Sequence, residues 1–438
     1  MARPQVNVKK WLAPLVSQRD RLRRWRRTLA LFFAVIGPGL IISNVDNDAG
    51  GIYTYSQAGA QFGYLLLWLL LPMTLILYVS EEMCARMGVI TGKGLSDLIR
   101  EEFGFRTTFF LMLALLATNL GNILAEFAGV AASLELFGIS KYLSVPVAAF
   151  LIWLLVLKGT YRVVEKVFLA ACVFYVAYIF SAISARPDWG EAATRTLVPQ
   201  VQFETGYLIL VVAMVGSTIA PWQHFYLQSA VVEKGIPRQR YWEMRTDVLV
   251  GSITCMVIVF FIIVCCAATL HRSGQTTIGN AAEAAEALRP LGWYASTLFA
   301  FGLLNASLFA ASILPLSTAY VICEGLGFEA GLDRPFREAP IFYWLYTALI
   351  VVGAGLILLP GAPLVRIMVF SQAVNGFLLP IVLVVILILV NRRELMGEYT
   401  NSRAYNWMAG SASAVMILLT LALIYLGLRG KIAALTTL

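Results

Sequence analysis

The sequence predicts an all-α polytopic membrane protein of about eleven spans, arranged as two five-span halves with one span left over. Three observations carry that expectation. Apolar runs of about 20 residues recur along the whole chain, each long enough to cross a hydrocarbon core of about 30 Å. Of the 438 residues, 59% are hydrophobic and only 13% charged, with a mean hydropathy of +0.77, whereas a soluble chain carries about 25% charged residues. Finally, two of the runs are interrupted halfway by helix breakers and polar side chains.

In chain order the runs cover 30–57, 64–86, 107–138, 143–159, 162–184, 204–233, 246–271, 291–323, 339–359, 363–391 and 405–429. The first begins behind a basic arm and lacks a small-residue cleavage pattern, so it reads as a retained span rather than a signal peptide. The cations test the count. With the N-terminus inside, inner segments hold 25 of the 33 Lys and Arg, including "RDRLRRWRR" and Arg392, Arg393 and Arg403. That bias agrees with the positive-inside rule. The expected layout is a cytoplasmic arm over 1–29, a first repeat over 30–184 and an extracellular linker over 185–203. A second repeat over 204–391, a cytoplasmic loop over 392–404 and an eleventh span with an outer C-terminus over 405–438 complete it. A multi-pass protein of the plasma (inner) membrane, working as a monomer, is expected.

The net charge of +8 is scattered over inner loops, which argues against nucleic acid and for contact of the arm with anionic lipid. The six cysteines show no CxxC or Cys/His metal spacing and read as small packing residues. No nucleophile–base pair or phosphate loop suggests an enzyme, and no resident cofactor is expected.

The two interruptions carry the function. "GPGLIISNVDNDAGG" (37–51) places Asp46, Asp48, Asn44 and Asn47 among glycines inside span one, and "VGSTIAPWQHFYLQS" (215–229) breaks span six. A break exposed to lipid leaves backbone groups unpaired at a cost of several kcal/mol, so it must face protein or a watery cavity. Breaks at corresponding places in two halves point to inverted repeats with a midplane transport site. Acid beside loosened carbonyls on two broken helices describes a cation site.

The chain resembles the Nramp family of divalent-metal transporters. "GPGLIISNVDNDAGG" is similar to that family's first-span GPG…DPGN motif, and "MGVITGKGLSDLIREEFG" (87–104) to its loop after span two. "LAEF" (124–127), "YRVVEKVF" (161–168) and "SQAVNGFLLP" (371–380) match later motifs in order. The resemblance implies the LeuT-like fold, with broken helices one and six around the metal. It makes Asp48 the metal-binding acid and brings in Gln372 and Asn375 as tenth-span amides.

The departures suggest the magnesium branch of the family. Gly51 stands at the family's Asn ligand, Ala220 at its Met and Trp222 at a His, while Gln228 replaces a later His and Ile123 a third-span acid. Thioether sulfur selects softer metals, whereas carboxylate, carbonyl and water suit Mg²⁺, which keeps several waters. Losing Met and Asn is expected to enlarge the cavity for a hydrated ion. Asp48 supplies the charge; carbonyls near Val45, Gly51, Ser217 and Ala220 are expected to touch the ion or its waters. Asn44, Thr218 and Gln223 are weaker candidates. Asp46 reads as a vestibule or structural acid, His224 as a vestibule polar group or a ligand, and Trp222 as packing or gate. Glu126 reads as a proton remnant or a helix-pairing group, and Glu81 and Glu82 as solvated acids or an aid to cation exit. With its histidines reduced to His224 and His271, the chain is expected to move Mg²⁺, and Mn²⁺ too, without protons. The alternatives are a proton-coupled Mn²⁺/Fe²⁺ importer, a sodium-coupled solute carrier and a scaffold without transport.

Overall fold

The computed structural model describes residues 39, 41, 45–158, 176–279, 281–285, 295–332 and 334–436. The principal helices are α1 (Ala49–Phe62), α2 (Leu70–Thr91), α3 (Leu95–Glu135), α4 (Lys141–Lys158), α5 (Val176–Ser184), α6 (Trp189–Leu197) and α7 (Thr205–Thr218). They are followed by α8 (Pro221–Glu233), α9 (Tyr241–Cys266), α10 (Ala295–Leu326), α11 (Pro340–Ile357), α12 (Leu364–Val390) and α13 (Arg403–Thr436). Among the described residues, eight helical segments are long and apolar enough to cross a membrane. Large apolar side chains such as Phe110, Phe150, Trp344 and Val351 stand exposed on their outer surface, as helices bathed in lipid require.

Both interrupted spans are broken. Span one turns through Asp46–Asp48 before α1 begins, and span six parts into α7 and α8 at Ile219–Ala220. Pro221 opens α8 at a position where its missing N–H costs nothing. Several boundaries differ from expectation. The second half of span one runs on to Phe62, and the linker over 185–203 holds α6, whose Asp188 cap accepts from Glu191 N at 3.0 Å. The third helix begins at Leu95 because the loop after the second span is itself helical, joined to the apolar part by Gly104 at φ +77°. Most of the fifth span lies outside the described residues. Cys84, Cys255, Cys265, Cys266 and Cys323 are free and buried.

Small residues bring the interior helices together, because apolar attraction alone does not drive association in lipid. α3 packs along α10 and α12, α7 along α12, and α9 along α1 and α2. A Cβ on Gly216 of α7 would fall 2.6 Å from Gly376 N, and one on Gly376 would fall 2.8 Å from Val212 Cγ1. Gly129 of α3 lies so close to Ala49 and Ser307 that no side chain fits. These contacts set the start of α1 against α3 and α12.

Two of the α3 glycines, Gly104 and Gly121, should part company on substitution. Gly104→Ala forces a side chain into a left-handed backbone region with open space around it, at a cost of about 1–3 kcal/mol. Gly121→Ala meets only Ser371 Cβ at 3.7 Å and should be neutral or stabilising by about 0.5–1 kcal/mol. Thermal unfolding in detergent reads both.

Candidate functional site

Asp48 caps α1. Its Oδ1 accepts from Gly51 N at 2.5 Å, satisfying one orphan amide of the first turn. The cap also points the carboxylate at the positive end of the α1 dipole. From α12, Gln372 Nε2 reaches both carboxylate oxygens at 3.3 Å. Asn375 Nδ2 donates to Gln372 Oε1 at 3.3 Å, and Asn375 exchanges two 3.1 Å hydrogen bonds with Asn122 of α3. An amide ladder thus ties the acid to two neighbouring helices.

Glu126 completes the site. Its Oε2 accepts from Ala49 N at 3.3 Å, and its carboxyl lies within hydrogen-bonding reach of Asp48. Oε1 is buried without a donor. Glu126 is wholly buried and Asp48 is 3% exposed. Two facing carboxylates stay together only with a proton or a cation between them. Of the two roles read for Glu126, helix pairing is visible in its bond to the first amide of α1, and its place beside Asp48 leaves room for a shared proton. The signal lay in the sequence: Asn119, Asn122, Glu126, Gly129 and Ser133 recur at helical spacing and line one buried stripe of α3.

The remaining candidates divide. Ser217 Oγ lies beside Gly51, where a Cβ would sit 3.0 Å from it, and near the Tyr55 hydroxyl. Thr218 Oγ1 is bonded to Tyr55 Oη at 2.8 Å. Val45 is fully buried just before the break, yet the carbonyl packed against Gly51 is that of Asp46, 2.6 Å from a Cβ built there. The space expected beside Gly51 is therefore filled by Asp46 and Ser217, because the unwound segment folds back over the first turn of α1. Ala220 also departs from expectation. Its carbonyl accepts from Gln223 N at 3.3 Å and contacts His224 Nδ1 at 3.1 Å, so it serves the first turn of α8. His224 is accordingly buried in α8 and not in a vestibule, and Trp222 is buried with its carbonyl facing Ser317. Asn44 lies outside the described residues.

The other acids are corrected more sharply. Asp46 is 1% exposed and faces the Gln223 amide, which donates 3.1 Å to Oδ2 when its NH2 is turned inward. Glu81 and Glu82, expected in solvent, are buried. Ser252 donates to Glu81 at 3.3 Å, while Glu82 pairs with Arg86 at 3.3 Å and accepts from Tyr241. Packing of α9 and α8 against α2 encloses them. Their positions within an apolar run fit either membrane edge or interior, so α2 alone could not decide. Among the described residues, no three His, Cys, Asp or Glu side chains gather as a ready metal cage. Two carboxylates with amides and hydroxyls can hold a divalent ion that keeps part of its water.

Gly51→Ala should lower stability by about 1–3 kcal/mol through overpacking, because the Asp46 carbonyl in its way is backbone. Unfolding of the purified protein measures this; an unchanged midpoint would show that the break yields easily.

The comparisons agree with the geometry. The family described as natural resistance-associated macrophage protein-like matches residues 39–426. The divalent metal cation transporter MntH of Burkholderia ambifaria is 28% identical over 404 residues, covering 90% of this chain and 89% of that protein. MntH of Granulibacter bethesdensis is 27% identical over 414 residues, covering 92% and 89%. A crystal structure of the manganese transporter of Eremococcus coleocola superposes with a TM-score of 0.73 at 22% identity, over 91% of this chain and 87% of that one. Mhp1, a nucleobase-cation-symport-1 family transporter, gives 0.58 at 16% identity over 92% of each chain. The fold is the LeuT-like one expected from the two broken helices, and the chain belongs to the Nramp family.

Proposed function

We propose that this chain carries Mg²⁺, with Mn²⁺ as a second cargo, across the plasma membrane by alternating access, driven by the membrane potential and without protons. At the coarser level it is a multi-pass divalent metal cation transporter, the activity its curated MntH relatives are named for. What supports the finer reading is the chemistry of the groups around two buried carboxylates, Asp48 and Glu126, at the broken end of α1. Around them stand Gln372, Ser217 and Gly51, and Ala220 brings no sulfur to the start of α8. Carboxylate and hydroxyl oxygens with no thioether from Ala220 suit a hard cation.

Energetics allow passive uptake. A divalent ion gains about 4.6 kcal/mol per 100 mV on moving inward, at about 2.3 kcal/mol per charge. That supports accumulation by about three orders of magnitude.

One observation favours a second reading. Because Glu126 faces Asp48 directly, a proton could pass between them as the ion arrives or leaves, which is the chemistry of a proton-coupled Mn²⁺ importer.

Uptake by proteoliposomes, read together with internal pH, separates the two. Mg²⁺ and Mn²⁺ should enter the wild type without acidification, Asp48→Ala should abolish nearly all entry, and Ala220→Met should shift preference toward Mn²⁺ several-fold. Acidification that accompanies Mn²⁺ entry and disappears in Glu126→Gln would instead establish the second reading.

A further inference from the structure

Away from the Asp48 site, an apolar recess of about 480 Å³ runs between α2, α7 and α13, walled by residues that include Pro72, Leu75, Val211, Val215, Met408 and Ala412. It opens to the outer surface of the bundle, since Leu75 and Val415 on its wall are exposed. The lining continues along α2 and α13, because Leu75, Ile76, Met408 and Ala412 also border a smaller recess that reaches Met83. Two tyrosines stand beside this continuation. Tyr78 lies one turn past Leu75 on α2 and Tyr405 one turn before Met408 on α13, with their hydroxyls 3.5 Å apart. From Trp68 to Tyr78 the furrow runs about 15 Å at 1.5 Å per helical residue. That is the depth of one leaflet of a hydrocarbon core about 30 Å thick.

Arg245 of α9 sits at the tyrosine end. Its Nε donates to Tyr78 Oη at 2.6 Å and its Nη2 to Tyr405 Oη at 2.8 Å, and its guanidinium carbon lies 4.9 Å from the centre of the Trp242 ring. Both hydroxyls are neutral, and among the described residues Arg245 makes no ion pair. Glu82, which acts on Arg245 from further off, is itself paired with Arg86 at 3.3 Å and accepts from Tyr241. Two guanidinium groups against one carboxylate leave this corner positive. Trp242 and Trp407, the latter two residues after Tyr405, are exposed, as aromatic side chains at a membrane–water interface are. A fixed guanidinium, an aromatic rim and an apolar furrow one leaflet deep together match the outline of a phospholipid with a negative head.

We propose that one anionic phospholipid occupies this furrow, with its phosphate on Arg245 and one acyl chain along Leu75, Val211 and Met408. An acyl chain finds little in an apolar furrow that the bilayer does not already offer, so preference for this lipid comes from the head. Arg meets phosphate with paired N–H donors and gives up less hydration than an ammonium in doing so. Basic pockets between membrane helices hold anionic heads in this way. The chain sets the position of the lipid: it lies against α7, whose last residues Ser217 and Thr218 meet α1. The lipid thus braces the half-helix that ends at the break of span six, whichever ion the chain carries.

Native mass spectrometry of the purified full-length chain tests this, with titration in detergent by phosphatidylglycerol or by phosphatidylcholine of the same acyl chains. Wild type should retain one phosphatidylglycerol about 5-fold more tightly than phosphatidylcholine. Arg245→Gln should remove that preference, and Arg245→Lys, which keeps the charge, should keep part of it. Ser411→Trp narrows the recess from an exposed position on its wall; it should weaken both lipids alike and leave the preference in place. The compound sn-glycerol 3-phosphate, a head without chains, should not compete at equal concentration. Equal retention of the two lipids by wild type, an unchanged preference in Arg245→Gln, or full competition by sn-glycerol 3-phosphate would overturn the site. So would a lipid-free dimer that Ser411→Trp dissociates, since a second copy of the chain would then fill the furrow.

Discussion

Two carboxylates pressed together inside a bundle of apolar helices need positive charge between them, and the architecture around Asp48 and Glu126 follows from that constraint. Removing two acids from water is costly, and only a proton, a cation or strong donors offset it. Here the offset is partial and local. Gly51 N and Gln372 Nε2 serve Asp48, and Ala49 N serves Glu126. The donors from α1 are those that a helix leaves unpaired at its start. Breaking span one therefore creates the acid's support and, on the function proposed, the site for its cargo.

The same constraint explains the small residues. Glu126 can reach Ala49 only because Gly129, almost one turn along α3, lets α1 approach. Gln372 can reach Asp48 because Gly50 has no side chain to collide with its amide, and because Gly216 and Gly376 draw α7 onto α12. Charge placement and close packing are thus one design: small residues set the helix separations at which the carboxylates, amides and hydroxyls meet. On the function proposed, selectivity then follows from oxygen being brought in rather than sulfur, and from how far those oxygens displace the water of the ion.

Much of this was legible in the chain. Long apolar runs gave the helices, the polar breaks gave the two interruptions, and Asp48 stood out because no lipid-facing helix would carry it there. What could not be read was tertiary. Whether Glu81 and Glu82 meet water depends on how α8 and α9 pack over α2, and nothing in α2 itself encodes that. Gly51 reads as added room when one side chain is compared with another, yet the Asp46 carbonyl and Ser217 occupy the space. Ala220 likewise reads as an open carbonyl until α8 is seen to use it. Helical spacing on α3 offered the one missed clue, since Glu126 shares a stripe with Asn122 and Gly129.

The central claim is that Asp48 and Glu126 share a cation that keeps water in its inner coordination sphere. Pulsed electron paramagnetic resonance of bound Mn²⁺ in D2O tests it most directly, by counting exchangeable water and identifying ligand nuclei. Several coordinated waters, with no nitrogen or sulfur ligand and loss of the signal in Asp48→Ala, are predicted. A stripped ion with no inner-sphere water would contradict the account.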